Sequence, residues 1–135
     1  MDVIRIAAGV VVRPGGDTLL VRKRCTVAFM QPGGKIGLGE SPLAALRREL
    51  VEELGLAVPA EVPRYLGRFS APAANEAGCI VVADLFWIET AAVPHAAAEI
   101  EEIAWVDPRR TGSRHLAPLT RDVVLGLWGG RSGLR

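Results

Sequence analysis

Residues 33–56 read GGKIGLGESPLAALRRELVEELGL, and they pose an electrostatic problem. Ser41 is suited to cap a helix, Pro42 suits its first turn, and Gly55 marks its end. Between them, LAALRRELVEEL has helical periodicity. Yet Glu49, Glu52 and Glu53 crowd the C-terminal end, where the helix dipole favours cations and like charges repel. Each helical residue advances about 100°. Leu43, Leu46, Leu50 and Leu54 therefore form a stripe that faces a core, with the three glutamates and Ala45 in the sector beside it. Carboxylates at a core rim can be relieved by protonation, by a bound divalent cation, or by Arg47 and Arg48 acting as a salt-bridged face. The preceding loop, with Gly33, Gly34, Gly37 and Gly39, allows close backbone approach to a ligand and favours the cation reading. It contains no Walker phosphate-binding motif.

On either side, strand and turn signals alternate. Residues 3–13 are rich in β-branched types and read as a strand, with PGGD at 14–17 as a turn and 18–24 as the hairpin partner. Residues 29–31 are a short extended piece, 33–40 a loop, and 64–70 a strand. The near-continuous apolar run 79–89 reads as a strand buried on both faces. Residues 90–99 form a loop with room for a short helical turn, 101–106 another strand, and 119–128 a final helix before a mobile tail at 129–135. These elements do not follow strict βαβ alternation, so the expected fold is α/β, a mixed sheet with helices on its faces.

The bulk numbers fit one domain over residues 1–135. Half of the chain is hydrophobic, which argues against global disorder. With 16 basic and 15 acidic residues, the net charge of +1 gives no support for a nucleic-acid polymer or a membrane surface as partner. Cys25 and Cys79 form no metal or disulfide framework and read as buried or partly buried thiols. The N-terminus lacks an export signal and no stretch is long enough to span a bilayer, so a cytoplasmic location is expected.

Taken together, residues 34–56 resemble the Nudix box, G-x5-E-x7-R-E-U-x-E-E-x-G-U with U a bulky aliphatic residue. Gly34, Glu40, Arg48, Glu49, Leu50, Glu52, Glu53, Gly55 and Leu56 occupy every defined position. The resemblance implies a Nudix-type α/β/α sandwich, with a mixed curved sheet between helices. It also implies metal-dependent hydrolysis of a nucleoside diphosphate linked to another group. Carried over, Glu49, Glu52, Glu53 and the Gly34 carbonyl would bind Mg²⁺ or Mn²⁺, while Glu40 and Arg48 would orient the carboxylates. The proton of the attacking water would go to Glu52 or Glu53, with Glu99 and then Glu102 as candidates outside the box. The expected substrate is a (d)NTP or related small nucleotide. The alternatives are ADP-ribose or a nucleotide sugar, or a domain that senses a nucleotide without cleaving it. Many small relatives dimerise, so a homodimer is compatible with the resemblance.

Substrate readers are sparser. If residues 21–24 alternate, Arg22 and Arg24 share one face and Lys23 points away; the resemblance implies that Arg24 takes the place of a phosphate contact. Gln31 precedes the loop and is a candidate for the base or leaving-group pocket. Trp87, Trp105 and Trp128 read as packing residues, and His95 and His115 as surface residues.

Overall fold

The computed structural model describes residues 2–127. Trp128 and the tail expected at 129–135 lie outside the described residues. Seven strands form one mixed sheet: β1 (Asp2–Val12), β2 (Thr18–Lys23), β3 (Phe29–Met30), β4 (Gly33–Lys35), β5 (Arg64–Pro72), β6 (Cys79–Glu89) and β7 (Ile100–Val106). The long helix is α1 (Pro42–Leu54), and a second helical segment, α2, covers residues 118–127. The central turn of α2, Thr120–Val124, is wound as π-helix.

β1 is the organising strand. It runs parallel to β6 along its whole length, from Asp2 opposite Cys79 to Val12 opposite Glu89. Its side chains from Ala7 to Val12 are buried, as expected where parallel strands are covered on both faces. Ala7 and Val11 pack with Leu46, Leu50 and Leu54 of α1 on one side. Ala8, Val10 and Val12 pack with Leu119 and Val124 of α2 on the other. The architecture is thus the expected sandwich of a mixed sheet between helices.

Three local expectations need correction. The turn at 14–17 forms, but β1 and β2 pair only at its root, Val12 opposite Thr18. Beyond it β2 leaves β1 to run antiparallel to β7 and to pair with β3. The edge of β1 that β2 vacates is taken by Gly33–Lys35, which pairs as β4 with Ile6, Ala7 and Ala8 instead of remaining a loop. Residues 90–99 contain no helical turn.

Helix α1 follows the sequence signals closely. The Ser41 hydroxyl accepts from the Ala44 N–H, and Gly55 adopts φ 65°, the left-handed conformation that closes the helix. Leu46, Leu50 and Leu54 are fully buried and Leu43 partly so. Ala45 belongs to the core as well. No basic side chain lies in the last turn. Its carbonyls are met instead by backbone donors from the loop before β7: His95 N–H to Leu54 O and Ala97 N–H to Glu53 O. Elsewhere, the buried Asp84 accepts from Tyr65, Arg68 and Arg5, tying β6 to β5 and β1.

Trp87 is buried and Trp105 packs against the core, as expected. His95 and His115 are exposed. Cys79 is partly buried, but Cys25 is exposed, because it sits in the turn after β2 with φ 65°. Among the described residues, no helix is long and apolar enough to cross a membrane.

Candidate active site

The α1 glutamates do not behave as a set. Glu53 is buried, with only 5% of its surface exposed, and its Oε1 accepts from the Gly33 N–H at 3.3 Å. The Glu49 side chain is 14% exposed. Glu52 faces solvent, 53% exposed, beside Arg48 at 3.5 Å. Among the described residues, no three acidic, histidine or cysteine side chains converge on one point. The helix therefore offers an inner pair, the buried Glu53 and the half-buried Glu49, with Glu52 on its outer flank.

Sheet and helix meet tightly here because β4 carries no side chains at the contact. A Cβ on Gly34 would run into the Glu49 carboxylate, and one on Gly33 would strike the Ala7 carbonyl. Gly33 also has φ 149°, which other residues adopt with strain. The backbone of Gly34 thus lies directly against Glu49.

The arginines leave this pair largely uncompensated. Arg47 turns away to the Val58 carbonyl. Arg48 is committed to Glu40, donating at 2.6 and 2.8 Å, and reaches Glu49 only at 3.5 Å. The Arg48 hydrogen bonds, helped by the Gly37 N–H, hold the Glu40 carboxyl down at about 2. Burial pushes the Glu53 carboxyl up to about 7, with the Glu49 charge adding and Lys23 opposing. Burial also raises Glu49, against the pull of Arg48. Paired carboxylates without a dedicated cation, on the edge of an open cleft, suit a hard divalent ion. Such an ion takes oxygen ligands and keeps several waters.

The cleft in front of the pair has a volume of about 500 Å³ and is lined by Lys23, Arg24, Lys35, Arg48 and Glu99, together with Asn75 and Glu76 of the β5–β6 loop. Glu99 is placed by two ties. The loop before it caps α1, as described, and the end of β2 holds it through Arg24 N–H to Glu99 O at 2.8 Å and Arg24 Nη2 to Ala98 O at 2.7 Å. Arg24 therefore lines the cleft with part of its guanidinium already bonded.

Arg22 and Glu102 are not brought to the cleft. They sit opposite each other in the β2–β7 ladder and pair at 3.1 Å on the other face. That face also carries Leu20, whereas Leu19 and Val21 face α1. Lys23 shares the face of Val21 and so enters the cleft, contrary to the expectation that it points away. Residues 19–21 are all buried, and no signal in this strand tells which face α1 covers. Lys35, Asn75 and Glu76 are further cleft residues that sequence reasoning missed. Their nearness depends on the β4 pairing and a loop conformation.

Gln31 leads into a second chamber. The cleft adjoins a cavity of about 120 Å³ along Lys23, Gly34 and Lys35. That cavity adjoins an apolar one of about 70 Å³ along Ile6, Met30, Gln31 and Val81. Gln31 is buried, and its Oε1 accepts from the Thr120 hydroxyl at 2.8 Å.

Three comparisons place this arrangement among known proteins. A NUDIX domain profile matches residues 3–124. Over 58 residues the chain is 40% identical to an 8-oxo-dGTP diphosphatase of Haemophilus influenzae, covering 40% of this chain and 43% of that protein. It is 47% identical over 58 residues to a putative 8-oxo-dGTP diphosphatase 2 of Mycobacterium tuberculosis, covering 39% of this chain and 40% of that protein. The matched stretch thus spans less than half the length of these curated relatives. The crystal structure of a MutT protein from Methanosarcina mazei superposes with a TM-score of 0.78 at 22% identity, covering 97% of this chain and 96% of that one. At that identity the likeness is one of fold.

Proposed function

The chain belongs to the Nudix family, and from that premise we propose that it hydrolyses a pyrophosphate bond in a nucleoside triphosphate or a related small nucleotide. The observation that carries this reading is the Glu49–Glu53 pair, half-buried and buried, with only Arg48 at 3.5 Å from Glu49 to offset it, at the mouth of a cleft with basic residues on its walls. The diphosphatase names of the Haemophilus and Mycobacterium relatives favour a triphosphate over ADP-ribose or a nucleotide sugar.

In this reading Glu49, Glu53 and the Gly34 carbonyl would hold Mg²⁺ or Mn²⁺, with Glu52 reaching it through water or by rotation from Arg48. The ion supplies charge neutralisation at the phosphate oxygens and a lowered pKa for water. Lys23 and Lys35 meet the phosphate chain as flexible point charges. Arg24 contributes its remaining N–H groups and keeps Glu99 in place. Glu99 lines the cleft without being needed by the ion, so it takes the proton of the attacking water; Glu52 is the second candidate. Arg48, fixed by Glu40, holds the outer flank of the carboxylates.

The test is a Mg²⁺-dependent hydrolysis screen with product identification, run on ordinary and oxidised (d)NTPs, ADP-ribose, NADH and nucleotide sugars. Release of pyrophosphate or phosphate from triphosphates, lost in Glu53→Gln, supports the proposal. Turnover confined to ADP-ribose would redirect the substrate, and nucleotide binding with no turnover would make the chain a sensor.

A further inference from the structure

The loop that joins β5 to β6 is chemically sparse. Residues 73–78 read AANEAG, so Asn75 and Glu76 carry its only polar side chains. Backbone hydrogen bonds set its shape: Ala73 N–H donates to Cys79 O at 3.0 Å, and Cys79 N–H to Glu76 O at 3.1 Å. Gly78, at φ 78°, supplies the left-handed residue of the turn. Both polar side chains line the cleft, and both also line the 120 Å³ chamber that opens off it toward Met30 and Gln31. Among the described residues, neither side chain makes a hydrogen bond or an ion pair. The fold itself makes no use of them.

Glu76 is the wrong residue to meet a phosphate. A carboxylate repels one, and the cations of these walls, Lys23 and Lys35, are the groups that attract it. Nor does Glu76 join Glu49 and Glu53 in an ion site, since no three acidic side chains converge among the described residues. An ionised carboxylate only accepts hydrogen bonds, so the ligand group opposite it is a donor without negative charge. With the phosphate chain at the glutamates and lysines, the group that follows along a nucleotide is its sugar. Ribose carries two hydroxyls on adjacent carbons, a pair that matches the two oxygens of one carboxylate. Dinucleotide-binding folds also set an acidic side chain on a ribose hydroxyl. The Asn75 carboxamide adds both donors and an acceptor beside it.

We propose that Glu76, with Asn75 beside it, is a specificity-determining residue that accepts hydrogen bonds from the ribose hydroxyls and makes the chain prefer ribonucleotides to 2′-deoxyribonucleotides. The inference rests on the nucleotide reading above and adds the sugar class to it. A 2′-deoxy sugar leaves one carboxylate oxygen without its donor, and a hydrogen bond to a charged group is among the stronger ones. The phosphates and the base are the same in the two sugar forms, so the preference reports the loop alone.

The test measures binding without turnover. Adenosine, guanosine, cytidine and uridine 5′-monophosphates hold no pyrophosphate bond, and each is paired with its 2′-deoxy form. Their affinities for the full chain with Mg²⁺ are compared by calorimetry, in the protein as it stands and in Glu76→Ala, Glu76→Gln and Asn75→Ala. The bonds that shape the loop are backbone bonds, so these substitutions leave the turn in place. The expected result is a ribose preference of about tenfold in the pairs that bind, the order of one hydrogen bond to a charged group. It should be levelled in Glu76→Ala and reduced in Glu76→Gln and Asn75→Ala. Removing the Glu76 charge tightens both sugar forms alike, and the ratio within each variant cancels that effect. Equal affinities in the parent protein, a preference for the deoxy form, an unchanged ratio in Glu76→Ala, or no binding of any pair would overturn the inference. A Glu76-dependent preference without hydrolysis of triphosphates would leave it standing and remove the catalytic reading alone. Hydrolysis of triphosphates with no sugar preference in binding would do the reverse.

Discussion

Glu53 is a carboxylate that the fold buries with one backbone N–H and no ion-pair partner, and its behaviour should report the site. Its carboxyl is raised from 4.5 to about 7 by burial. Below the lower value it is protonated in folded and unfolded chain alike and costs nothing. Between the two the unfolded chain ionises and the folded one does not, so the metal-free protein should lose stability as pH rises. By pH 8 the loss amounts to about 3 kcal/mol, and the raised Glu49 carboxyl adds in the same direction. Urea titrations of metal-free protein between pH 4.5 and 8 should show this decline, and Glu53→Gln should reduce it to the part that Glu49 contributes. The same substitution should lower Mg²⁺-dependent turnover by about a hundredfold or more. Gly34→Ala forces a methyl into the Glu49 carboxylate. It should lose turnover while costing about 1–3 kcal/mol of stability, read by pairing kinetics with thermal melts. The box residues were legible because helical spacing is rigid: one turn fixes Glu49 and Glu53 as neighbours. Lys23 and Arg22 were misjudged because alternation gives relative faces only. Which face meets α1 is decided by packing that residues 19–21, all buried, do not encode.

At the scale of elements, α1 and the loop before β7 form a functional unit. The helix ends in acid, and the loop supplies the N–H donors that its last carbonyls lack. That exchange is also what carries Glu99 to the cleft. The two ends of α1 should therefore respond differently. Ser41→Ala removes the N-terminal cap and should cost about 1 kcal/mol, with turnover per folded molecule unchanged. Ala97→Pro removes the donor to the Glu53 carbonyl, and should lower turnover more than its loss in melting temperature explains. Circular-dichroism melts beside steady-state rates separate the two. Helix α1 was readable from end to end because its caps are local. The β1–β2 pairing was over-extended and β4 was missed for one common reason. Only three residues, Gly33–Lys35, take the edge that β2 abandons, and two glycines carry no strand signal. A glycine-rich stretch reads as loop until a neighbouring strand offers it a ladder.

For the whole molecule, the sheet sets the distance between two chemistries. The α1 face carries the carboxylates, and the α2 face with β1 and β6 builds the apolar cavity; β3 and β4 connect them. The sandwich was legible because apolar runs, caps and turns agreed with one another. The continuity of the cleft was not, since it depends on tertiary approach between Gln31 and Thr120, 89 positions apart in the chain. A cation bound between Glu49 and Glu53 should offset the burial cost of their ionised forms. Mg²⁺ should then raise the melting temperature more at pH 8 than at pH 5.5, a difference that Glu53→Gln abolishes. The account's central claim is tested most directly by hydrolysis of nucleoside triphosphates with and without Mg²⁺, the products identified and Glu53→Gln alongside. It predicts Mg²⁺-dependent cleavage of the phosphate chain that falls by about a hundredfold or more in the folded variant. Cleavage at the parent rate in Glu53→Gln, or no cleavage of any nucleotide by the parent protein, would contradict it.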